Sequence, residues 1–172
     1  MRTGRRTLVA LAVLAPARAA AQDGFPPVAE VAGRRLVLNG TGSRRYLGFE
    51  VYRAALYLEA RSTDADAILA SPGAKLVDVR YRHAVGVDGV SAAWEDSFAR
   101  ACRCPVPEAF RHWLRPIAAG DAERYLFIGP DAYLWASGGA EARIPGASRT
   151  LLSAWLAPGV APDGLRRGLL GA

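Results

Sequence analysis

Few residues in this chain have the type and spacing for chemistry. His83 and His112 lie far apart, and neither neighbours a plausible nucleophile, which suits ordinary surface or structural residues. No carboxylate pair, metal-ligand cluster or phosphate-cradling glycine loop appears, so no metal and no cofactor are expected. The only cysteines, Cys102 and Cys104, stand one residue apart and match neither a zinc nor a thioredoxin spacing. Two readings stand for them. One is a tight disulfide made in an oxidising compartment, which requires the backbone between them to leave helical geometry; the other is a packed Cys102 beside an exposed Cys104. Asn39-Gly40-Thr41 fits a glycosylation sequon, but a glycine-rich turn over Asn39-Gly40-Thr41-Gly42 explains it better. The most distinctive stretch runs from that turn through Ser43 and Arg44 into Phe49–Leu58.

The N-terminus carries Arg2, Arg5 and Arg6, an apolar run from Leu8 to Leu14, and the small residues of Ala17–Ala21, the order of parts in an export signal. The run is too short to span a bilayer. Cleavage is expected after Ala21, with Ala19 the alternative, so the mature chain has no membrane span and a periplasmic or secreted destination. Arg5-Arg6 is also compatible with twin-arginine export. The whole chain has 22 basic and 16 acidic residues and a net charge of +6. Removing residues 1–21 takes away four arginines and no acid, leaving a mature charge of about +2. The remaining arginine doublets are scattered, which argues against a nucleic-acid partner.

The mature 22–172 region, about 150 residues, is sized for one domain with one core, expected as a monomer. Arg35–Asn39 has a strand pattern, Tyr46–Leu58 looks like a central strand buried on both faces in which Glu50 and Arg53 need partners, and Lys75–Arg82 alternates as a half-buried strand. Asp64–Leu69 forms a short helix. Asp88 is placed to cap a helix with the stripe Val90, Trp94, Phe98 and Cys102, and a second helix is expected from Pro107 through Phe110, Leu114 and Ile117. Arg124–Ile128, Asp131–Ser137 and Ala140–Ile144 make an antiparallel meander. Helices then follow around Leu151–Leu156 and Pro162–Leu170. Strands, helices, strands, helix in that order predict an α+β domain, an open sandwich with helices on one face of an antiparallel sheet.

With these residues in view, the chain resembles the chalcone isomerase-like superfamily. The carriers are Gly40-x-Gly42-x-Arg44, the strand ending Leu56-Tyr57-Leu58, the helix Trp94–Cys102, Ile144-Pro145-Gly146 with Leu151–Trp155, and the closing Pro162-Asp163 and Leu165-Arg166. The likeness covers about Phe25 to Leu170. It implies that Arg44 occupies the position of the catalytic arginine of the plant isomerases. Tyr52 then falls where those enzymes carry a threonine, Trp94 where they carry a tyrosine, and Ala101 where an asparagine binds the substrate ring. Losing such donors costs about 10²–10³ in rate each, so efficient cyclisation is not expected. The resemblance to the fatty-acid-binding branch implies instead a non-catalytic binder of a small lipophilic carboxylate. Arg44 would anchor the anion, Tyr52 would support it, and Trp94, Phe98, Ala101 and Trp155 would line an apolar cleft, with Phe110 and Trp113 also on its walls. The alternatives are an intramolecular lyase acting on a flavonoid-like or conjugated ketone, with Arg44 catalytic, and an envelope interaction module without a ligand. The aromatic stripes also fit a plain packed core.

Overall fold

A computed structural model of the chain describes residues 24–172; the export-signal expectation for residues 1–21 lies outside them. The chain order is β1 (Val28–Val31), β2 (Arg34–Tyr46), β3 (Phe49–Leu58), α1 (Ala65–Ala70), β4 (Lys75–Tyr81), α2 (Val87–Ala101) and α3 (Glu108–Arg111). It continues through β5 (Ala122–Ile128), β6 (Asp131–Ala136), β7 (Glu141–Ile144), α4 (Ser148–Leu156) and α5 (Asp163–Leu170). Among the described residues, all seven strands form one antiparallel sheet in sequential order, each paired with the next. The α+β class and the open sandwich are as expected.

Gly40 and Gly42 do not make a turn. They lie inside the 13-residue strand β2, on the face that receives α5. A Cβ on Gly40 would overlap the Gly168 carbonyl oxygen, one on Gly42 would sit 2.5 Å from the Leu165 carbonyl oxygen, and one on Gly168 would overlap the Thr41 carbonyl oxygen. The glycines exist for backbone-to-backbone approach of helix and strand. Asn39 seals the same seam: its amide donates to the carbonyls of Leu169 (2.8 Å) and Ser62 (3.0 Å) and accepts from the Ser62 N–H, so it is not a free glycosylation acceptor. The turn comes later, at Leu47-Gly48, where φ is +47° and +86° and Tyr46 pairs with Phe49. Two residues with positive φ joining antiparallel strands is the type I′ hairpin connection. The expected single strand Tyr46–Leu58 is therefore the end of β2, a turn and β3, and only Ala54–Leu58 is buried on both faces.

Two apolar clusters flank the sheet. Ala54, Leu56, Val77, Val79, Tyr125 and Phe127 meet α1, α2, α4 and α5 on one side. Phe25, Leu36, Ala55, Tyr57, Leu76 and Leu126 pack on the other. β4 is thus buried on both faces from Lys75 to Val79 rather than half-buried, with Arg80 and Tyr81 partly exposed, because it lies in the middle of the sheet. Its polar residues are satisfied locally. Asp78 accepts from Arg124 at 3.2 Å and meets Arg80 at 3.5 Å, while the Lys75 ammonium donates to the carbonyls of Ser71 (2.6 Å) and Gly73 (2.8 Å). Burial pulls the Lys75 pKa below its usual value.

Two helix expectations change. Gly86, without a side-chain cap, precedes α2, and Asp88 lies in its first turn, where its charge favours the N-terminal dipole without capping it. The helix expected from Pro107 to Ile117 is the single turn α3. Pro116 disfavours helical backbone at Arg115, and Ile117 instead bridges to Val85 through two 2.9 Å hydrogen bonds. Cys102 and Cys104 are joined, with Arg103 between them at φ +54° and the Cα atoms 5.1 Å apart, just where α2 ends.

Candidate functional site

Arg44 lies near the end of β2, on the helix-facing side that the glycines open. Its Cα partner across the ladder is Tyr52 of β3, so the two side chains neighbour each other. Arg44 forms the edge of a cleft of about 360 Å³ whose other walls are Asp96, Ser97 and Arg100 of α2 and the 159–163 segment leading into α5. Arg100 is held by Asp96 at 2.9 Å. Arg44 makes no hydrogen bond or ion pair among the described residues. Its charge is left to act on Tyr52. Burial pushes the Tyr52 phenol up to about 12, opposed by the Arg44 charge and then by the nearby Trp155 indole, so the hydroxyl keeps its proton, and remains a donor, at any ordinary pH.

Behind Tyr52 the rings close on one another. Trp94 meets Phe110 at 4.7 Å, Trp155 at 5.4 Å and Phe98 at 6.4 Å between centroids, and Tyr125 meets Trp155 at 4.9 Å. These residues, with Trp113, pack ring against ring between helices and sheet, where an apolar hollow was expected, and a mixed polar cleft lies beside Arg44. Of the residues singled out by sequence, the structure brings Arg44, Tyr52, Trp155, Trp94 and Phe98 into one contiguous line. Ala101 sits in the last turn of α2, outside the cleft lining. The Trp155 indole N–H is buried with no hydrogen-bond partner among the described residues, an unmet donor next to the Tyr52 hydroxyl.

A second polar cluster was not anticipated. Glu123 of β5, 4% exposed, accepts from the hydroxyls of Tyr125 (2.6 Å) and Tyr81 (3.0 Å) and from Arg115 (2.6 Å). Tyr81 packs edge-on against Tyr52 at 5.6 Å, which links the cluster to the Arg44 end. The signal was present in the period of the strand, since Glu123, Tyr125 and Phe127 alternate onto one face. His83 is exposed, its Nδ1 lying 2.8 Å from the Glu50 carbonyl oxygen, and His112 caps α3; neither approaches the cleft. Among the described residues no group of three or more His, Cys, Asp or Glu is placed to hold a metal, and no helix is long and apolar enough to cross a membrane.

A sequential antiparallel sheet with helices packed on one face defines the class of fold. The chain belongs to the chalcone isomerase-like family, whose model matches residues 17–171. No curated protein sequence matches it. Among solved structures it is similar to the crystal structure of the Arabidopsis thaliana fatty-acid binding protein AtFAP1, with a TM-score of 0.63 at 11% identity over 85% of this chain and 90% of that one. At that identity the likeness speaks for the fold.

Proposed function

We propose that this protein binds a small lipophilic acid without transforming it, the carboxylate lodging on Arg44 and Tyr52. The observation that carries the reading is a half-buried arginine that makes no ion pair among the described residues, although Asp163 and the Arg100-paired Asp96 line the same cleft, set opposite a phenol that burial keeps protonated. A carboxylate arriving there gains charge-assisted hydrogen bonds from Arg44 and a further donor from Tyr52. The Trp155 N–H is the next unmet donor inward. The cleft of about 360 Å³ lies at the small end of ligand sites, which favours a short acid or the head of a longer one whose tail runs along the seam between α2 and the 159–163 segment. The shared fold with a fatty-acid binding protein supports the ligand class. Ala101, where an asparagine binds the substrate ring of the plant isomerases, has no hydrogen-bonding side chain, which supports binding over catalysis. The Cys102–Cys104 bond supports action in an oxidising compartment, and the order of parts in residues 1–21 is that of a cleaved export signal. N-terminal sequencing of the protein from its host should begin at Gln22, and recovery of an uncleaved chain in the cytoplasm would overturn the export reading.

Calorimetric titration with saturated acids from octanoic to palmitic should give one site per chain. Arg44→Ala should weaken it by about tenfold to hundredfold and Tyr52→Phe by about tenfold, the worth of a charged and a neutral hydrogen bond. Affinity should stay flat from pH 6 to 10, because the raised Tyr52 phenol keeps its proton, and fall below the acid's own pKa. A wild-type protein that takes up none of these acids, or an Arg44→Ala form that binds as well as wild type, would sink the proposal.

A further inference from the structure

The β2–β3 hairpin projects a group of side chains that the ligand site does not use. Among the described residues four large apolar side chains are exposed, and three of them, Tyr46 (65%), Leu47 (79%) and Phe49 (63%), fall within four consecutive positions at the hairpin tip. The turn chemistry makes Leu47 unexpected. Its φ is +47°, a position that Asn, Asp or Gly occupies without strain and a branched apolar residue does not, and its side chain gains no burial in return. Basic residues surround the tip. Between residues 44 and 53 and at the adjoining end of β4, residues 81–83, the charged side chains are Arg44, Arg45, Arg53 and Arg82 against Glu50 alone, and Glu50 is already engaged by Arg53 at 2.7 Å and Arg82 at 3.8 Å.

We propose that this hairpin tip docks the protein onto an anionic lipid bilayer, with Tyr46, Leu47 and Phe49 entering the headgroup–acyl boundary and Arg45 and Arg82 meeting lipid phosphates. A tip of three side chains presents only roughly 300–400 Å² of surface, well short of the about 1,000 Å² a specific protein interface needs, whereas a bilayer takes up isolated aromatic and aliphatic side chains beside basic ones. Arg44 precedes Tyr46 by two residues, so docking sets the cleft edge at the lipid surface, where an acid could pass between bilayer and protein. The inference stands independently of the ligand reading.

Sedimentation with vesicles of mixed phosphatidylcholine and phosphatidylglycerol, free of fatty acid, tests it. The wild-type protein should co-sediment, less on pure phosphatidylcholine and less as salt rises. Leu47→Asn with Phe49→Ser should cut binding at least about tenfold, the transfer of two apolar side chains. Arg45→Glu should weaken binding to the anionic vesicles only. Leu47→Asn alone should weaken binding, by less than the double variant, while raising Tm by about 2–4 °C through relief of the turn, a pairing that a structural role for Leu47 would not give. The proposal fails if the wild-type protein stays in the supernatant, if it binds only vesicles doped with fatty acid, or if the tip variants bind as wild type does. It also fails if those variants instead dissolve a dimer seen by analytical ultracentrifugation. Because fatty-acid titration of the same variants should be unchanged, failure here is separable from failure of the ligand site.

Discussion

Glu123 is a full negative charge held inside the protein by three donors, and each of them depends on it. Arg115 supplies the counter-charge at 2.6 Å, and its Nη2 is buried without a partner among the described residues. The hydroxyls of Tyr81 and Tyr125 spend their protons on the same carboxylate. Removing one partner of a buried pair leaves the other uncompensated, a loss of about 3–5 kcal/mol. Glu123→Gln should therefore lower stability by at least about 2 kcal/mol in urea unfolding, since the amide keeps one acceptor but strands Arg115. A change under about 0.5 kcal/mol would mean that the network contributes little beyond shape. Arg44 is the contrasting case, a cation with no such partner. That difference separates a residue that stabilises the fold from the one proposed to meet a ligand. Arg44 was identifiable in the sequence only through its company, Gly40-x-Gly42-x-Arg44 and the strand that follows. Composition does not reveal which arginine goes unpaired.

The elements show where local pattern sufficed and where tertiary packing overrode it. Helices α2, α4 and α5, and the strands β4 to β7, were legible within a few residues, because each pairs a clear apolar period with Pro or Gly at its ends. β1 was missed. Val28–Val31 is four residues long, between Pro27 and the Ala32-Gly33 turn, too short for a period to declare itself. The glycines of β2 were misread because Asn-Gly is a strong turn signal, and only the distant α5 shows that they make room for a backbone. Gly40→Ala and Gly168→Ala each force β2 and α5 apart, and each should cost about 2–4 kcal/mol with a lower urea midpoint. Gly138→Ala, with open space around the site, serves as the control and should shift stability by less than about 1 kcal/mol. If Gly40→Ala behaved like the control, the close approach of α5 would not be what those glycines serve.

For the molecule as a whole, pH acts through its tyrosines. Tyr52 and Tyr57 are each pushed up to about 12, and Tyr81 and Tyr125 are held well above their usual value, in every case chiefly by burial. A phenol whose folded pKa is raised contributes stability that is fully present below pH 10 and is lost as pH climbs through the folded value, because the unfolded chain releases the proton first. Tm should thus hold steady up to about pH 10 and then drop steeply toward pH 12. Tyrosinate absorbance from these four residues should rise only as the fold is lost. Smooth ionisation of all six tyrosines near pH 10 with the far-ultraviolet spectrum intact would refute it. The sandwich itself followed from the order of elements along the chain. The filled interior did not, because an aromatic stripe at helical spacing is the same in sequence whether it walls a hollow or meets other rings.

Strand order sets the sequence of assembly. Six consecutive pairings let the sheet zip up from neighbour to neighbour as chain becomes available, yet the seam over Gly40 and Gly42 has to wait for a helix whose Leu169 carbonyl meets Asn39 from 130 residues away. Until that clasp arrives, the strand that carries Arg44 has one bare face, so the Arg44 end of the molecule is the last to become rigid.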